Sequence, residues 1–430
     1  MRPTRLPPRF FKNNRLKLQS FLPPRSLALF CSNHRMPRSG DQYFPFRQNS
    51  DFFYLTGIEQ EESLLLIMPD HPDQESRHYL FIIRPTPQTE LWEGHKLNRE
   101  EASSISGIKV VYWLDEFDRV VSEMTGHIDT LCLNFPENPK FNPSVKPYDY
   151  QVAGRIEERF SGPGRGRLAP VMTKLRMFKE PEEIDAIKRA CVVTANAFRR
   201  IISLVKPGIN ECEVMAEITH EFIRSGVKGH AFDPVIAGGD RALVLHYVEN
   251  NRICKAGDLL LLDFGAEYLN YAADCTRTIP VSRRFTTRQR EIYNSVLKVL
   301  NQAIKLMIPG KLIGNFHNEV GLLLQEEHLK LGLYTAEDAA RRTAENPLWK
   351  DYYLHGTSHS IGLDVHDPYD RCVPFAPGMV LSCEPAIYIR EEKTGIRIEN
   401  TILITKEGPV DLMKDIPSEA GHIEELMNQS

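Results

Sequence analysis

The chain has 430 residues, more than one ordinary hydrophobic core accommodates, so two domains are the expectation. Its hydrophobic (42%), aromatic (9%) and charged (26%) fractions are those of a soluble globular protein, and no apolar run is long enough to span a bilayer, which excludes a membrane-embedded role. The formal net charge of −4 is unevenly spread: residues 1–40 hold nine Lys/Arg and no acid, leaving 44 Lys/Arg against all 57 Asp/Glu elsewhere, a balance that suits cations or a peptide's ammonium end and not nucleic acid.

A basic, acid-free start is compatible with a mitochondrial transit peptide. The preferred reading assigns it to the first domain, because Pro3, Pro7 and Pro8 interrupt the opening and the stretch after Phe10 reads as a helix feeding a strand, SLALFCS. That strand is too short, and too far in, for a secretory h-region. From about residue 10 to 160, the runs SLALFCS, ESLLLIM, YLFII, IKVVYWL and TLCLNF alternate with helical patches, which predicts a small N-terminal α/β domain over 1–165. Within it, FPFRQNSDFFYLTG is read as packing around a strand, and Trp92 in LWEGHKL as an exposed loop residue. The segment FSGPGRGRLAP (160–170) is small, basic and rich in Gly and Pro, the composition of a linker, and a second domain follows over 166–430.

Pro181 with adjacent acids opens a helix whose apolar residues fall at 184, 187, 191, 195, 198 and 202, and Pro207-Gly208 stops it. A second helix starts at Asn210 with Glu213 three residues on, a capping pair. The pattern returns after Gln289: a helix through REIYNSVLKVLNQAIKLMI, a stop at Pro309-Gly310, then a helix through NEVGLLLQEEHLKLG. Each helix pair precedes a strand–turn–strand stretch with an acid six residues after a glycine, Gly257 to Asp263 and Gly378 to Glu384. This weak duplication predicts a pseudo-two-fold domain, a curved antiparallel sheet with helices over its outside.

Residues 257–280, GDLLLLDFGAEYLNYAADCTRTIP, read as a hairpin centred between Tyr268 and Leu269, with Asp263 opposite Asp274. Residues 378–404 read likewise, centred between Glu391 and Glu392, with Glu384 opposite Glu399. Like charges across a ladder destabilise it, and apolar neighbours make that worse, so four such carboxylates imply a cation between them. The segment HGTSHSIGLDVHD (355–367) adds His355, His359 and His366. On an extended chain 355 and 359 share a face and 366 takes the other unless the chain bends, so not all three are assumed to ligate. One histidine with four carboxylates makes an oxygen-rich shell, which favours Mn, Fe or Co over a structural zinc. His220, His230, His317 and His328 have no partner motif and are expected at the surface. The eight cysteines (31, 132, 191, 212, 254, 275, 372, 383) form no CxxC pair, which argues against a zinc ribbon or disulfide framework and favours a reducing, cytoplasmic setting.

In this order and with these surroundings, Asp263, Asp274, His359, Glu384 and Glu399 resemble the metal ligands of the pita-bread metallopeptidases, and among them most those of the aminopeptidase P (Xaa-Pro aminopeptidase) family. LHYVEN (245–250), DFGAEYLNYAADCTRTIPV, HGTSHSIGLDVHD, PGMVLSCEPAIYI and GIRIENTILIT carry the resemblance, and RQNSDFFYLTG is similar to the bacterial branch. It covers all but the first eight or so residues and implies a creatinase/prolidase-like first domain before a pita-bread catalytic domain. The resemblance further implies two divalent ions, Mn2+ foremost, with Asp274 and Glu399 bridging them, Asp263 on one, and His359 and Glu384 on the other. It implies that Glu384 moves the proton of the attacking water. His246 and His366 would donate hydrogen bonds to the scissile carbonyl, while His355 and Arg397 would surround the proline. Arg397 shares a strand face with Glu399, so a role as that carboxylate's structural partner is equally open. The expected substrates are peptides with proline at the second position, and a homodimer or homotetramer is expected. The rivals are a prolidase acting on Xaa-Pro dipeptides, a non-catalytic pita-bread scaffold that binds proteins, and a dinuclear phosphoesterase, which lacks support because no Gly-rich phosphate loop is present.

Overall fold

In the computed structural model, which describes residues 5–124, 128–135, 137, 147–159 and 164–429, the apolar runs of the first part become strands of one mixed sheet. Its order is Val110–Trp113, His78–Ile82, Leu64–Ile67, Ser26–Cys31, Thr130–Leu133, Gly164–Arg167. Ser26–Cys31 and His78–Ile82 flank Leu64–Ile67 antiparallel, and the remaining pairings are parallel. The two central strands are buried along their whole length, which is why they read as unbroken apolar runs without alternation.

The FPFRQNSDFFYLTG segment packs against strand Ser26–Cys31, as expected, in the form of a helix, Ser50–Thr56. Asn49 caps it by accepting from the N–H groups of Asp51 and Phe52, and Gly57 closes it at φ 68°. A Cβ on Gly57 would stand 2.3 Å from the Phe11 ring, so packing as well as φ requires glycine there. Of the expected linker, residues 160–163 lie outside the described residues, but Gly164–Arg167 is an edge strand. Gly166 permits it, since a Cβ there would meet Cys132 Sγ at 2.4 Å. Trp92 is highly exposed, on the short helix Pro87–Glu93.

The chain divides into two units, Arg5–Leu175 and Arg176–Ser430. In the second, Pro181–Ile202 packs on Glu211–Arg224, and Thr287–Leu306 on Ile313–Lys330. The helix starts follow the sequence signals: Pro181 at the first turn, and Asn210 accepting from Cys212 N–H with Glu213 returning the bond. Two antiparallel triplets carry the hairpins. One is Val235–Gly238, Leu259–Phe264 and Cys275–Pro280; the other is Val380–Cys383, Asn400–Thr405 and Gly408–Asp411. The return strands of the two hairpins are stitched side by side: Glu399 N–H donates to Thr276 O (3.1 Å), and Thr401 Oγ1 to Asp274 O (2.8 Å). This is the α/β (α+β) architecture with a duplicated antiparallel half. No helix among the described residues is long and apolar enough to cross a membrane.

Glu183, in the first turn of Pro181–Ile202, is buried and accepts from Glu180 N–H and Tyr271 Oη. Burial pushes its carboxyl up to about 7 from the ordinary 4.5. A raised carboxyl favours the fold while protonated, so its stabilising contribution is complete below pH 4.5 and lost as pH rises through about 7. The ionised form then costs about 3 kcal/mol at 1.4 kcal/mol per unit. Glu183→Gln is therefore expected to flatten the decline of stability between pH 4.5 and 7 in urea titrations. An unchanged pH slope would count against this.

Candidate metal centre

The first hairpin is built by an apolar strand, Leu259–Phe264, buried except at Asp263. Its turn residues are Leu269 and Asn270, both in the left-handed region (φ 52° and 66°), the geometry of a two-residue hairpin loop. Asp263 therefore pairs with Thr276, and the same register carries Gly265, not Asp263, opposite Asp274. The spacing had centred the turn one residue early, which moved the pairing by two. Because that shift is even, both carboxylates remain on one face. Gly265 is demanded by close approach: a Cβ there would sit 1.7 Å from Ala273 O. The second hairpin keeps the expected register, since Cys383 pairs with Asn400 and Ala386 with Arg397, which sets Glu384 against Glu399.

His359 reaches the same place along a third path. Its N–H donates to Ser382 Oγ (3.0 Å) and its carbonyl accepts from Ser382 N–H (2.9 Å), so the segment runs beside Val380–Cys383. The ring Nε2 then lies 3.3 Å from Asp274 Oδ2 and 3.6 Å from Glu384 Oε1, while Nδ1 stands 3.2 Å from Ser360 O. A carbonyl only accepts, so Nδ1 carries a proton and Nε2 is the atom offered to the carboxylates. Asp274, His359 and Glu399 each present a ligand atom within 4.8 Å of the others.

The electrostatics are those of several carboxylates buried close together. Burial, with the nearby Asp263 and Glu384, pushes Asp274 up to about 7 against the help of His359. Burial and then Asp274, Glu384 and Asp263 push Glu399 well above the carboxylate range. Burial would lower His359, but Asp274 and Glu384 outweigh it and hold the imidazole near 9. Asp263 Oδ1, Asp274 Oδ1 and Glu399 Oε1 are buried and accept no hydrogen bond from the described residues. Orphaned carboxylate oxygens in one place are costly unless a cation takes them, and oxygen donors with one imidazole fit hard or borderline divalent ions. The residues present fit such ions.

A second layer holds this set. Arg397 is buried and donates to Asp263 Oδ2 (2.5 Å), to Thr276 Oγ1 (3.1 Å) and to Tyr388 Oη (2.9 Å). Its hydrogen-bonded carboxylate partner is Asp263; among the described residues its hydrogen bonds lead to Glu399 through Thr276 Oγ1, which donates to Glu399 Oε2 (2.7 Å), and its charge also acts on Glu399 directly. Tyr388 Oη stands 2.9 Å from His355 Nε2, and His355 Nδ1 stands 2.9 Å from Gly356 O and 3.4 Å from Glu384 Oε2. Burial holds His355 below the usual imidazole range. Neither Thr276 nor Tyr388 was singled out from the sequence, although period-two alternation places them on the faces of Asp274 and Glu384.

The remaining histidines divide. His366 is exposed, and a bend over 360–367 brings its ring to 4.4 Å from that of His359. Among the described residues, His246 is exposed on the turn after Gly239–Leu243 and has no hydrogen bond to the carboxylates; the adjacent Tyr247 is buried on Glu211. His220 is exposed, but the surface expectation fails for His328 and holds only in part for His230 and His317. His328 is fully buried against Tyr334 and Tyr352, and burial drives it to about 3. His230 is bonded to Thr219 and driven by burial to about 4. His317 packs on Trp349 and Tyr353 and bonds Thr357 Oγ1 at 2.9 Å. Helix position alone did not reveal which helix faces turn inward. Cys275 and Cys383 are fully buried, in keeping with alternation that points them away from their acidic neighbours.

The chain is similar to known proteins over nearly its whole length. Residues 185–406 match the model of metallopeptidase family M24, and residues 11–132 match the aminopeptidase P N-terminal domain. The chain is 33% identical to the Xaa-Pro aminopeptidase of Escherichia coli (strain K12), over 97% of this chain and 97% of that protein. It superposes on Pseudomonas aeruginosa aminopeptidase PepP with a TM-score of 0.90 at 28% identity. It superposes on zinc-substituted E. coli aminopeptidase P in complex with product at 0.88 and 31%, and each pair covers 99% of both chains.

Proposed function

The chain belongs to metallopeptidase family M24, and from that premise we propose that it is an Xaa-Pro aminopeptidase, hydrolysing the bond between an N-terminal residue and a following proline. The observation that supports this most is the meeting of Asp274, His359 and Glu399, with Glu384 3.6 Å from the same imidazole and buried oxygens of Asp263, Asp274 and Glu399 that accept no hydrogen bond from the described residues. Those five residues would hold two divalent ions, and an oxygen-rich shell of this kind suits Mn2+. Such ions supply Lewis-acid activation of water and of the scissile carbonyl.

The chain's own groups do the rest. Glu384 accepts a proton from the attacking water and returns it to the proline nitrogen as the C–N bond breaks, so no proton is left over. His366 and His246 donate to the carbonyl oxygen as it gains negative charge. His355, held by Tyr388, lines the proline side, with Arg397 behind it fixing Asp263. The cluster of carboxylates favours a substrate's free ammonium end. Eight free cysteines suit a reducing compartment such as the cytoplasm, and a homodimer or homotetramer is the proposed assembly.

The test is a peptide panel run before chelation, after it, and after adding back Mn2+. A Gly-Pro-X tripeptide is expected to be cleaved, to lose turnover on chelation and to regain it with the ion. Turnover of the Gly-Pro dipeptide alone would make the protein a prolidase. Tripeptide cleavage that ignores chelation would refute the metal-dependent reading.

A further inference from the structure

The HGTSHSIGLDVHD segment ends on Asp367, which neither the ligand set nor the proton transfers employ. Its carboxylate is buried between two cations that are buried as well: Arg176 Nη2 donates to Oδ1 at 2.5 Å, and Lys179 Nζ to Oδ2 at 3.2 Å. The same two side chains reach Asp364 Oδ2 (2.7 Å) and Ser360 Oγ (3.2 Å). The backbone closes around this point. Asp367 N–H donates to Ser360 O (2.9 Å), Gly362 N–H to Asp364 O (3.0 Å), and Asp364 N–H to Asp367 Oδ1 (3.1 Å). Gly362 lies against the carboxylate, where a Cβ would come within 2.5 Å of Oδ2.

The loop is thus pinched at Ser360 and Asp367, and the residues just before those two are His359 and His366. An extended chain would show these histidines on opposite faces, since they are seven apart. Here their rings are 4.4 Å apart and nearly perpendicular, at 79°. A turn of this kind needs only backbone donors, whereas burying a guanidinium and an ammonium carries a desolvation cost that a looser loop would avoid. The cations hold the pinch, and the pinch sets the pair of rings.

We propose that Asp367, clasped by Arg176 and Lys179, is a positioning residue that sets the His366 imidazole against His359 and so at the scissile carbonyl. The part that concerns the carbonyl rests on the aminopeptidase reading above. A misplacement of His366 by about 1 Å is expected to lower kcat about 10²-fold with KM nearly unchanged. The experiment is a double-mutant cycle of Asp367→Asn and His366→Ala on an Xaa-Pro tripeptide, with bound Mn2+ measured for each protein. Asp367→Asn is expected to lower kcat, to keep the metal, and to add little once His366 is alanine. If its loss multiplies in full in the His366→Ala background, or if the metal is lost, the clasp only supports the fold and the proposal is overturned. Should Asp367→Asn fail to fold by circular dichroism, Arg176→Lys, which keeps the charge and breaks the two-carboxylate reach, takes its place in the cycle under the same criteria. Crystal structures of wild type and variant give a readout independent of turnover. The two rings are expected to separate in the variant, and an unmoved His366 overturns the proposal. A wild type that ignores Xaa-Pro peptides would fault the aminopeptidase reading instead, leaving the ring positions to judge the clasp.

Discussion

Asp274→Asn is expected to abolish peptidase activity and to leave the fold of the metal-free protein intact. Asp274 is buried, sits within 4.8 Å of the ligand atoms of His359 and Glu399, and has one oxygen with no partner among the described residues. Changes in residues that merely support a ligand cost about 10–100-fold. Loss of a residue proposed to hold the ions directly should exceed that, about 10³-fold or more. The fold should survive because the substitution removes one of several like charges whose mutual repulsion and burial already push this carboxyl up to about 7. A bound ion adds about 2.7 kcal/mol at a hundredfold excess over its Kd, so wild type should melt higher when Mn2+ is added and the variant should not. Thermal melts with and without Mn2+, beside a tripeptide assay, check both halves. Retained activity in a metal-replete assay would refute the mechanism.

The second large effect is expected at Arg397. Its guanidinium is buried, joins Asp263, Thr276 and Tyr388, and through Thr276 and Tyr388 reaches Glu399 and His355. Removing one partner of a buried ion pair leaves the other charge uncompensated and typically costs about 3–5 kcal/mol. Arg397→Met is expected to destabilise the metal-free protein by about that much in urea unfolding. With Mn2+ present the deficit should shrink, since ions held as proposed by the same carboxylates would supply the missing positive charge. Arg397→Lys should recover part of the stability and little of the activity, because an ammonium restores the charge but not the three-way fork. Equal deficits with and without metal would mean that Arg397 matters for packing alone.

Much of this was legible in the sequence because it depends on local rules. Period two placed Glu384 and Glu399 on one face, and the equal flanks of the 390–393 turn set their register, which the structure shows unchanged. Capping signals at Pro181 and Asn210 located two helix starts, since those bonds lie within three residues of chain. The first hairpin was read two positions out because Tyr268 and Asn270 are equally plausible beside Leu269; the left-handed φ of Leu269 and Asn270 decided it.

By itself, then, the sequence determined residue type, strand face and helix boundary, all set by neighbours a few positions away. Only the tertiary structure decided that Arg397 bonds Asp263 across 134 residues, that Thr276 joins Glu399 across 123, and that Arg176 and Lys179 meet Asp367. It also decided that His328 turns into the core while His220 turns out. These contacts exist because two hairpins and a bent loop are packed together, and loop closure makes sequence distance nearly indifferent to which distant groups meet. Local pattern supplies the donors and acceptors; packing of the assembled elements selects which of them pair.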